Sequence, residues 1–244
     1  MPIKVIVNGA KGRMGQEAAK AIEADPRFEL VAQTGRTDDL AAEIKKTKAD
    51  VVVDLTTAES VYENTKTIIT AGAHPVIGTT GLHPEQFMEL KQLCAQKNLG
   101  GIVVPNFSIG AVLMMRYAKD AAKYLPDVEI IEMHHDGKLD APSGTAIKTA
   151  ELIHETRKTS PTEKQIKETV PGSRGAVKHD IHIHAVRLPG LVAHQQVLFG
   201  GNAETLTIRH DSMHRSCFMP GLLLACEKIK DFDTLMYGLE HLLD

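Results

Sequence analysis

Apolar residues along this chain follow two rhythms, and the change comes near residue 106. Up to that point, short β-branched runs alternate with stretches whose apolar residues recur every three or four positions. The runs cover residues 3–8, 30–33, 51–55, 75–77 and 101–104. The third reads Val-Val-Val-Asp-Leu with no polar alternation, as a strand buried on both faces should. Between the runs lie helical stripes: Ala18, Ala19 and Ile22; Val61, Thr65, Ile68 and Ile69; Phe87, Leu90 and Leu93. Strand–helix–strand repetition of this kind predicts an α/β fold with a doubly wound parallel sheet.

Pro105-Asn106-Phe107-Ser108 breaks that rhythm. A helix rich in Ala, Met and Leu follows to about Tyr124, with Ser108 as its candidate cap. Next come a strand over 127–133, a short polar loop and a helix over 143–157. Residues 158–178 are polar and carry Pro161, Pro171, Gly172 and Gly175, which predicts a long loop. Residues 179–187, 192–199 and 204–210 alternate apolar and polar, as antiparallel strands joined by Pro189-Gly190 and Gly200-Gly201-Asn202 turns do. With 127–133 they make a mixed or antiparallel sheet of at least four strands. An apolar helix over 216–228 and a shorter one over 234–243 then return to the first sheet. The expected division is therefore 1–106 with 216–244 as one domain and 107–215 as another.

Composition narrows the functional classes. The chain has 244 residues, 43% hydrophobic and 24% charged, and a net charge of −3 without a basic run, which argues against nucleic acid as a partner. Aromatics are 4% and Trp is absent, so base-stacking platforms are not expected. Cys94, Cys217 and Cys226 show no Cys-x-x-Cys spacing, which speaks against a disulfide framework or zinc ribbon. With no signal peptide and no apolar segment long enough to span a membrane, the expected location is the cytoplasm.

Two stretches carry candidate chemistry. The first strand runs straight into Gly9-Ala10-Lys11-Gly12-Arg13-Met14-Gly15 and then a helix. Glycines at that junction let backbone amides approach a pyrophosphate at the helix start, the signature of dinucleotide binding. They are also ordinary turn residues, and only the position after a strand lifts the functional reading. The second strand ends in Thr34-Gly35-Arg36 with no acid for an adenosine ribose. Arg36 either meets a 2′-phosphate, favouring NADP over NAD, or is a solvated loop residue. The fourth run ends in Gly78-Thr79-Thr80-Gly81, small residues suited to lining the crevice at the carboxyl end of an open α/β sheet.

The other stretch is Glu132 to Thr145, Glu-Met-His-His-Asp-Gly-Lys-Leu-Asp-Ala-Pro-Ser-Gly-Thr. His134 and His135 sit where a strand ends, and Lys138 follows closely. Ser143 is a good N-cap, so the Gly144 and Thr145 amides fall in a first helical turn without an intrahelical acceptor. A proton source near neutral pH, a fixed cation and an anion-binding helix start suit a small acidic substrate that must be protonated. His182 and His184, two apart on a strand with His179 near, have metal-ligand spacing. No carboxylate or cysteine cluster supports them, and exposed sheet histidines are commoner, so no metal is expected.

With the glycine turn, the Gly78–Gly81 strand tip, Pro105-Asn106-Phe107-Ser108 and His134-His135-x-x-Lys138-x-Asp-Ala-Pro-Ser-Gly-Thr-Ala in place, the chain resembles the dihydrodipicolinate reductase family over its whole length. His184-Ala185-Val186-Arg187, His194, His210 and Arg215 add to the match. The resemblance implies a Rossmann-like cofactor domain, a substrate domain whose sheet builds a homotetramer, and NADPH- or NADH-dependent reduction of a cyclic dicarboxylate in the diaminopimelate route to lysine. It implies that Gly9, Ala10, Lys11, Gly12, Arg13 and Met14 hold the pyrophosphate. Gly78, Thr79 and Thr80 would lie by the nicotinamide end, and Val104, Pro105, Asn106 and Phe107 would contact the cofactor at the hinge. His134 would be the general acid/base, Lys138 a proton donor or carboxylate anchor, and His135 with the Gly144 and Thr145 amides a carboxylate site. Gly35 departs from the family pattern, since many members carry an acid there, and this leaves Arg36 as the expected determinant of cofactor choice. Two other readings stand beside this one: a different NAD(P) oxidoreductase, such as an amino-acid dehydrogenase, and a dinucleotide sensor without chemistry.

Overall fold

The computed structural model describes residues 1–159 and 166–243. In chain order its elements are β1 (Ile3–Asn8), α1 (Arg13–Ala24), β2 (Phe28–Thr34), α2 (Leu40–Thr47), β3 (Val51–Asp54), α3 (Val61–Ala71), β4 (His74–Ile77), α4 (Pro84–Lys97) and β5 (Gly101–Val103). Then follow α5 (Ile109–Ala121), β6 (Asp127–His134), α6 (Gly144–Thr156), β7 (Ala176–Lys178), β8 (Ile181–Arg187), β9 (Ala193–Gly201), β10 (Glu204–Ser212), α7 (Met219–Lys228) and β11 (Leu235–Tyr237). The chain forms two compact units, Met1–Ile109 with Arg215–Asp244, and Gly110–His214.

The first unit holds a six-stranded sheet in the order β11-β5-β4-β3-β1-β2, every pairing parallel. Val5, Ile6, Val7, Val51, Val52 and Val53 are buried, as strands covered by helices on both faces require. One core lies under α2, α3 and α4, where Ile44, Ile68, Ile69, Leu90 and Cys94 pack on Ile6, Val52 and Ile77. Burial in that apolar setting pushes the Cys94 thiol up to about 12, so it is an inert core residue. The order places β2 on one side of β1 and β3 on the other. The chain therefore winds in opposite directions from β1, and the carboxyl ends of β1 and β3 are the switch point where such sheets bind ligands.

The last stretch differs from the sequence expectation of a helix over 234–243. Residues 235–237 instead form β11, parallel to β5, and Leu239–Leu242 form a single 3-10 turn. Leu235, Leu239 and Leu242 have helix-like spacing and all are buried. An unpaired edge of β5 offered Leu235–Tyr237 backbone partners that periodicity does not reveal, and Gly238 with φ +102° ends the strand. The helix expected from 216 begins as a 3-10 turn at Arg215–Phe218 before α7.

The second unit holds a mixed five-stranded sheet, order β10-β9-β6-β8-β7, in which only β6 and β8 run parallel. Met114, Ala118, Ala146, Ala150 and Ile153 of α5 and α6 pack against Val128, Ile130, Ile181, Ile183, Val197 and Phe199. Part of the loop expected over 158–178 is the short strand β7, while residues 160–165 lie outside the described residues. His179 and Asp180, with φ of 53° and 60°, make the two-residue turn from β7 to β8. Two consecutive left-handed residues suit the right-handed twist of a hairpin. Three residues are too few for alternation to announce a strand, and His179, expected in β8, belongs to the turn.

Candidate active site

In the first unit the glycine turn is held by close contacts. Gly9 has φ +86°, and a Cβ there would stand 2.5 Å from the Leu55 carbonyl oxygen; one on Gly15 would stand 2.2 Å from the Gly9 carbonyl oxygen. Side chains at either position would push the turn off the sheet. The Gly9 and Ala10 amides donate to the Thr34 carbonyl at 2.9 and 3.2 Å, and the Gly12 amide donates to the Gly9 carbonyl at 3.0 Å. These three residues shape the turn. The first intrahelical bond runs from Gln16 to Gly12, so the Arg13 and Met14 amides sit in the first turn ahead of it. Gly12 is the N-cap, has no side chain to cap them, and no acid lies in that turn. A pyrophosphate matches this donor set, with exposed Lys11 and Arg13 adding charge.

Beneath the turn lies a carboxylate that sequence reasoning did not single out. Asp54 ends β3 and is fully buried. Its Oδ2 accepts from Asn8 Nδ2 at 2.8 Å and Asn64 Nδ2 at 2.9 Å; its Oδ1 accepts from Thr56 Oγ1 at 2.7 Å and Thr79 Oγ1 at 2.8 Å. Thr34 Oγ1 donates to Asn8 Oδ1 at 3.0 Å. The tips of β1, β2 and β3, α3 and the loop after β4 are thereby tied to one group. Asp54 was legible only as a polar break in an apolar run.

This network changes what several expected residues offer. The Thr79 hydroxyl is occupied by Asp54 and by the Thr56 amide at 2.8 Å, while Thr80 is exposed. A Cβ on Gly78 would meet Leu55 Cδ2 at 2.6 Å and Phe107 Cε2 at 2.7 Å, so this glycine admits the Phe107 ring. The Phe107 and Val104 side chains are buried; Pro105 is exposed and Asn106 half-buried. At the tip of β2 an acid does arrive, though not from Gly35. Asp38 folds back so that its carboxylate accepts from the Gly35 amide at 2.8 Å. Arg36 is exposed, and Glu59 lies within its electrostatic reach. The Glu59 carboxyl is held below its usual range chiefly by the Thr57 side chain and its own backbone amide, with Arg36 adding.

In the second unit, β6 delivers His134 at its carboxyl end, opposite Arg187 of β8 and Ala193 of β9. Period two puts Glu132 on the same face as Val128 and Ile130, that is, inside, where it is fully buried. Glu132 Oε2 lies 2.5 Å from His134 Nδ1 and accepts from Arg187 Nη1 at 2.8 Å. Its Oε1 accepts from Arg187 Nη2 at 2.8 Å and the Ser143 amide at 3.0 Å. Burial pushes the Glu132 carboxyl up, but the His134 and Arg187 hydrogen bonds outweigh it and hold the group at about 2.

The loop between closes on itself. The Lys138 amide donates to the His135 carbonyl at 3.1 Å, Lys138 Nζ meets Asp140 Oδ1 at 2.8 Å, and Arg187 Nη2 reaches the Asp140 carbonyl at 2.6 Å. Ser143 caps α6, its Oγ accepting from the Ala146 amide at 3.2 Å. The first turn of α6 contains no acid, and a Cβ on Gly144 would meet nothing within 4 Å. His134, His135, Lys138, Gly144 and Thr145 thus share one loop and helix start. His194, beside Met133, accepts from the Val192 amide through Nε2 and pairs with Asp211 through Nδ1 at 2.7 Å. Glu132 and Arg187 received no role from sequence reasoning. Their signal was parity: a charged residue at a core position of Val128-x-Ile130-x-Glu132, matched by Ile181-x-Ile183-x-Ala185-x-Arg187.

His182 and His184 stack with centroids 6.5 Å apart and face Arg174 and Glu129: His182 Nδ1 lies 2.7 Å from the Arg174 carbonyl and His184 Nε2 lies 2.8 Å from Glu129 Oε2. Among the described residues no group of three or more His, Cys, Asp or Glu is arranged to hold a metal.

Known proteins reproduce both halves of this arrangement. Residues 3–107 match the model of dihydrodipicolinate reductase, N-terminus, and residues 110–243 match that of dihydrodipicolinate reductase, C-terminus. The 4-hydroxy-tetrahydrodipicolinate reductases of Coxiella burnetii (strain RSA 493 / Nine Mile phase I) and Legionella pneumophila (strain Paris) are 57% and 56% identical over 243 residues, covering 100% of each chain. The dipicolinate-bound dihydrodipicolinate reductase from Paenisporosarcina sp. TG-14 superposes with a TM-score of 0.93 at 45% identity, again over 100% of both chains. Diaminopimelate (DAP) dehydrogenase of C. glutamicum, at 14% identity and a TM-score of 0.60, shares the fold alone. A parallel sheet with a glycine turn, a mixed sheet ending in His134, and relatives that match from end to end leave one assignment: this chain belongs to the dihydrodipicolinate reductase family.

Proposed function

We propose that this chain reduces 4-hydroxy-tetrahydrodipicolinate to tetrahydrodipicolinate with loss of water, using NAD(P)H, in the diaminopimelate route to lysine. The observation that carries the site assignment is the His134–Lys138–α6 constellation, in which a proton donor, a cation and a helix start without an acid in its first turn converge within eleven residues, 134–144. The dipicolinate held by the Paenisporosarcina reductase is a planar dicarboxylate of the kind such a site suits.

The Arg13 and Met14 amides, with the Lys11 and Arg13 side chains, would hold a reduced dinucleotide, which would supply the hydride when bound. All other steps belong to the chain. One ring carboxylate takes the Gly144 and Thr145 amides with His135, and the other takes Lys138, which leaves Asp140 to do so. The ring hydroxyl leaves as water with a proton from the neighbouring ring carbon, which puts a C=C bond in conjugation with the ring C=N; hydride added at the far end of that system leaves its electron pair on an enamine-like carbon. His134 breaks its Nε2–H bond to form the new C–H bond there, and water then replaces the lost proton. Loss of NAD(P)H absorbance with freshly prepared substrate tests the reading. An amino-acid dehydrogenase would ignore this substrate, and a sensor would bind cofactor without turnover.

We also propose a choice of cofactor in which NADPH is used through Arg36 and NADH remains usable. Glu59, whose charge acts on Arg36, supports the second half, because it competes for the same cation. Finally, we propose a homotetramer built on the sheet face turned away from α5 and α6. That face carries Ile131, Met133, Val186 and Leu198, all half-buried. Light scattering of the purified chain tests it, and a monomer would overturn it. The cytoplasm remains the proposed location, and no helix among the described residues is long and apolar enough to cross a membrane.

A further inference from the structure

We infer that Glu132 is a positioning residue that fixes the tautomer of His134, so that Nε2 exchanges the proton with substrate, and that it holds the first turn of α6 in register with that imidazole. The inference deepens the reading above and rests on it.

The argument begins with an oddity of the sheet. Positions 128, 130 and 132 face the core, and the first two are Val and Ile. A third apolar residue would complete the pattern at no electrostatic cost. A fully buried carboxylate there carries a large desolvation penalty unless it is well paired. The cost is met completely: each oxygen has two acceptor sites, and the four donors are His134 Nδ1, Arg187 Nη1, Arg187 Nη2 and the Ser143 amide. Glu132 has no acceptor site left for substrate or solvent, so it does not touch the reacting atoms.

What it controls follows from donor and acceptor logic. The carboxyl is ionised at any ordinary pH, held at about 2, and an ionised carboxylate only accepts. His134 must therefore donate through Nδ1. A neutral imidazole carries one N–H, so Nε2 becomes the site that gains and loses the second proton. Arg187 grips both oxygens and makes the Glu132–Arg187 pair neutral. It also bonds the Asp140 carbonyl at 2.6 Å and the Val186 carbonyl at 2.8 Å, which anchors the loop behind Lys138. The fourth donor is the amide of Ser143, the N-cap of α6. One carboxylate thus holds the proton donor at one oxygen and the start of the carboxylate-binding turn at the other.

Glu132→Gln presents an NH2 where an acceptor stood. Facing His134, it makes Nδ1 an acceptor and moves the proton of the neutral ring to Nε2, where a neutral imidazole N–H is far too weak an acid to protonate carbon, while the exchangeable second proton moves to Nδ1, away from substrate. The full chain is labelled with 15N-histidine, and His134 is assigned by comparison with His134→Gln. Long-range 1H–15N spectra of the parental chain, without substrate, should place the neutral-ring proton on Nδ1. In Glu132→Gln it should move wholly or partly to Nε2, with kcat down by ~10²–10⁴ and the KM for NAD(P)H unchanged. Glu132→Asp keeps an acceptor and should keep the Nδ1–H tautomer while recovering part of kcat. A purely structural Glu132 would lower stability without moving the tautomer. A parental His134 protonated on Nε2 overturns the inference even where the glutamine variant does not fold; so does an unchanged tautomer with near-parental kcat in that variant. If the parental chain shows the expected tautomer but does not reduce 4-hydroxy-tetrahydrodipicolinate, the functional reading fails and the tautomer assignment stands.

Discussion

Each unit of this molecule is built around one fully buried carboxylate, and the two are used differently. Asp54 in the first unit accepts only from neutral groups, the side-chain amides of Asn8 and Asn64, the hydroxyls of Thr56 and Thr79 and the Thr56 backbone amide. Glu132 in the second accepts from a guanidinium, an imidazole and a backbone amide. The donors of Asp54 belong to strand ends, loops and the first turn of α3, which need only be immobile. One donor of Glu132 is itself the proposed reacting group, so that network must tolerate a proton coming and going. Arg187 supplies the neutralising charge this requires. The comparison teaches that a buried acid reads as scaffold or as chemistry by the protonation freedom of what it holds, not by its burial.

The largest expected effect tests the chemical side. Lys138→Ala should lower kcat by ~10²–10⁴ while NADPH binding, measured by fluorescence titration, stays parental. A variant turning over at the parental rate would remove Lys138 from the site. Asp54→Ala should act on the scaffold side. It leaves the Asn8, Asn64, Thr56 and Thr79 donors without their acceptor and should lower unfolding stability by ~3–5 kcal/mol, read by denaturant titration. Stability within ~1 kcal/mol of the parent would show that these donors find other partners.

Acid unfolding gives a further test of Glu132. The Glu132 carboxyl is lowered from 4.5 to about 2, so the stability it contributes is present above the unfolded value of 4.5 and lost as pH falls through about 2. Glu132→Gln should flatten that part of the stability-versus-pH curve, and an unchanged slope would sever the link to this residue. The smallest effect is expected at Arg36. Arg36→Ala should weaken NADPH by about tenfold, roughly one charge-assisted contact, and NADH less. Equal loss for both cofactors would exclude recognition of a 2′-phosphate.

How legible each part was follows from how local its cause is. The glycine turn and the capped start of α6 each depend on a few consecutive residues, and both were readable. The strands of both sheets were readable wherever a run exceeded about four residues. Strands β7 and β11 were not: β7 is three exposed residues, the leucines from 235 on have helix-like spacing, and each strand is recruited by an open sheet edge. The histidines and Lys138 announced themselves as chemistry. Their organiser did not, because a glutamate in an alternating strand reads as a surface residue until the facing strands are known.

The amino-acid sequence by itself determined the two rhythms, the switch near residue 106, the glycine turn and the His134–Thr145 loop. These are set by side-chain periodicity, backbone freedom and capping over short spans. Only the tertiary structure decided that Asp54 would gather residues 46 and 25 positions away, and that Glu132 would meet Arg187 across 55. A buried carboxylate must find its donors wherever the sheet brings them. Strand order and register determine that meeting, and they emerge only when the whole unit closes.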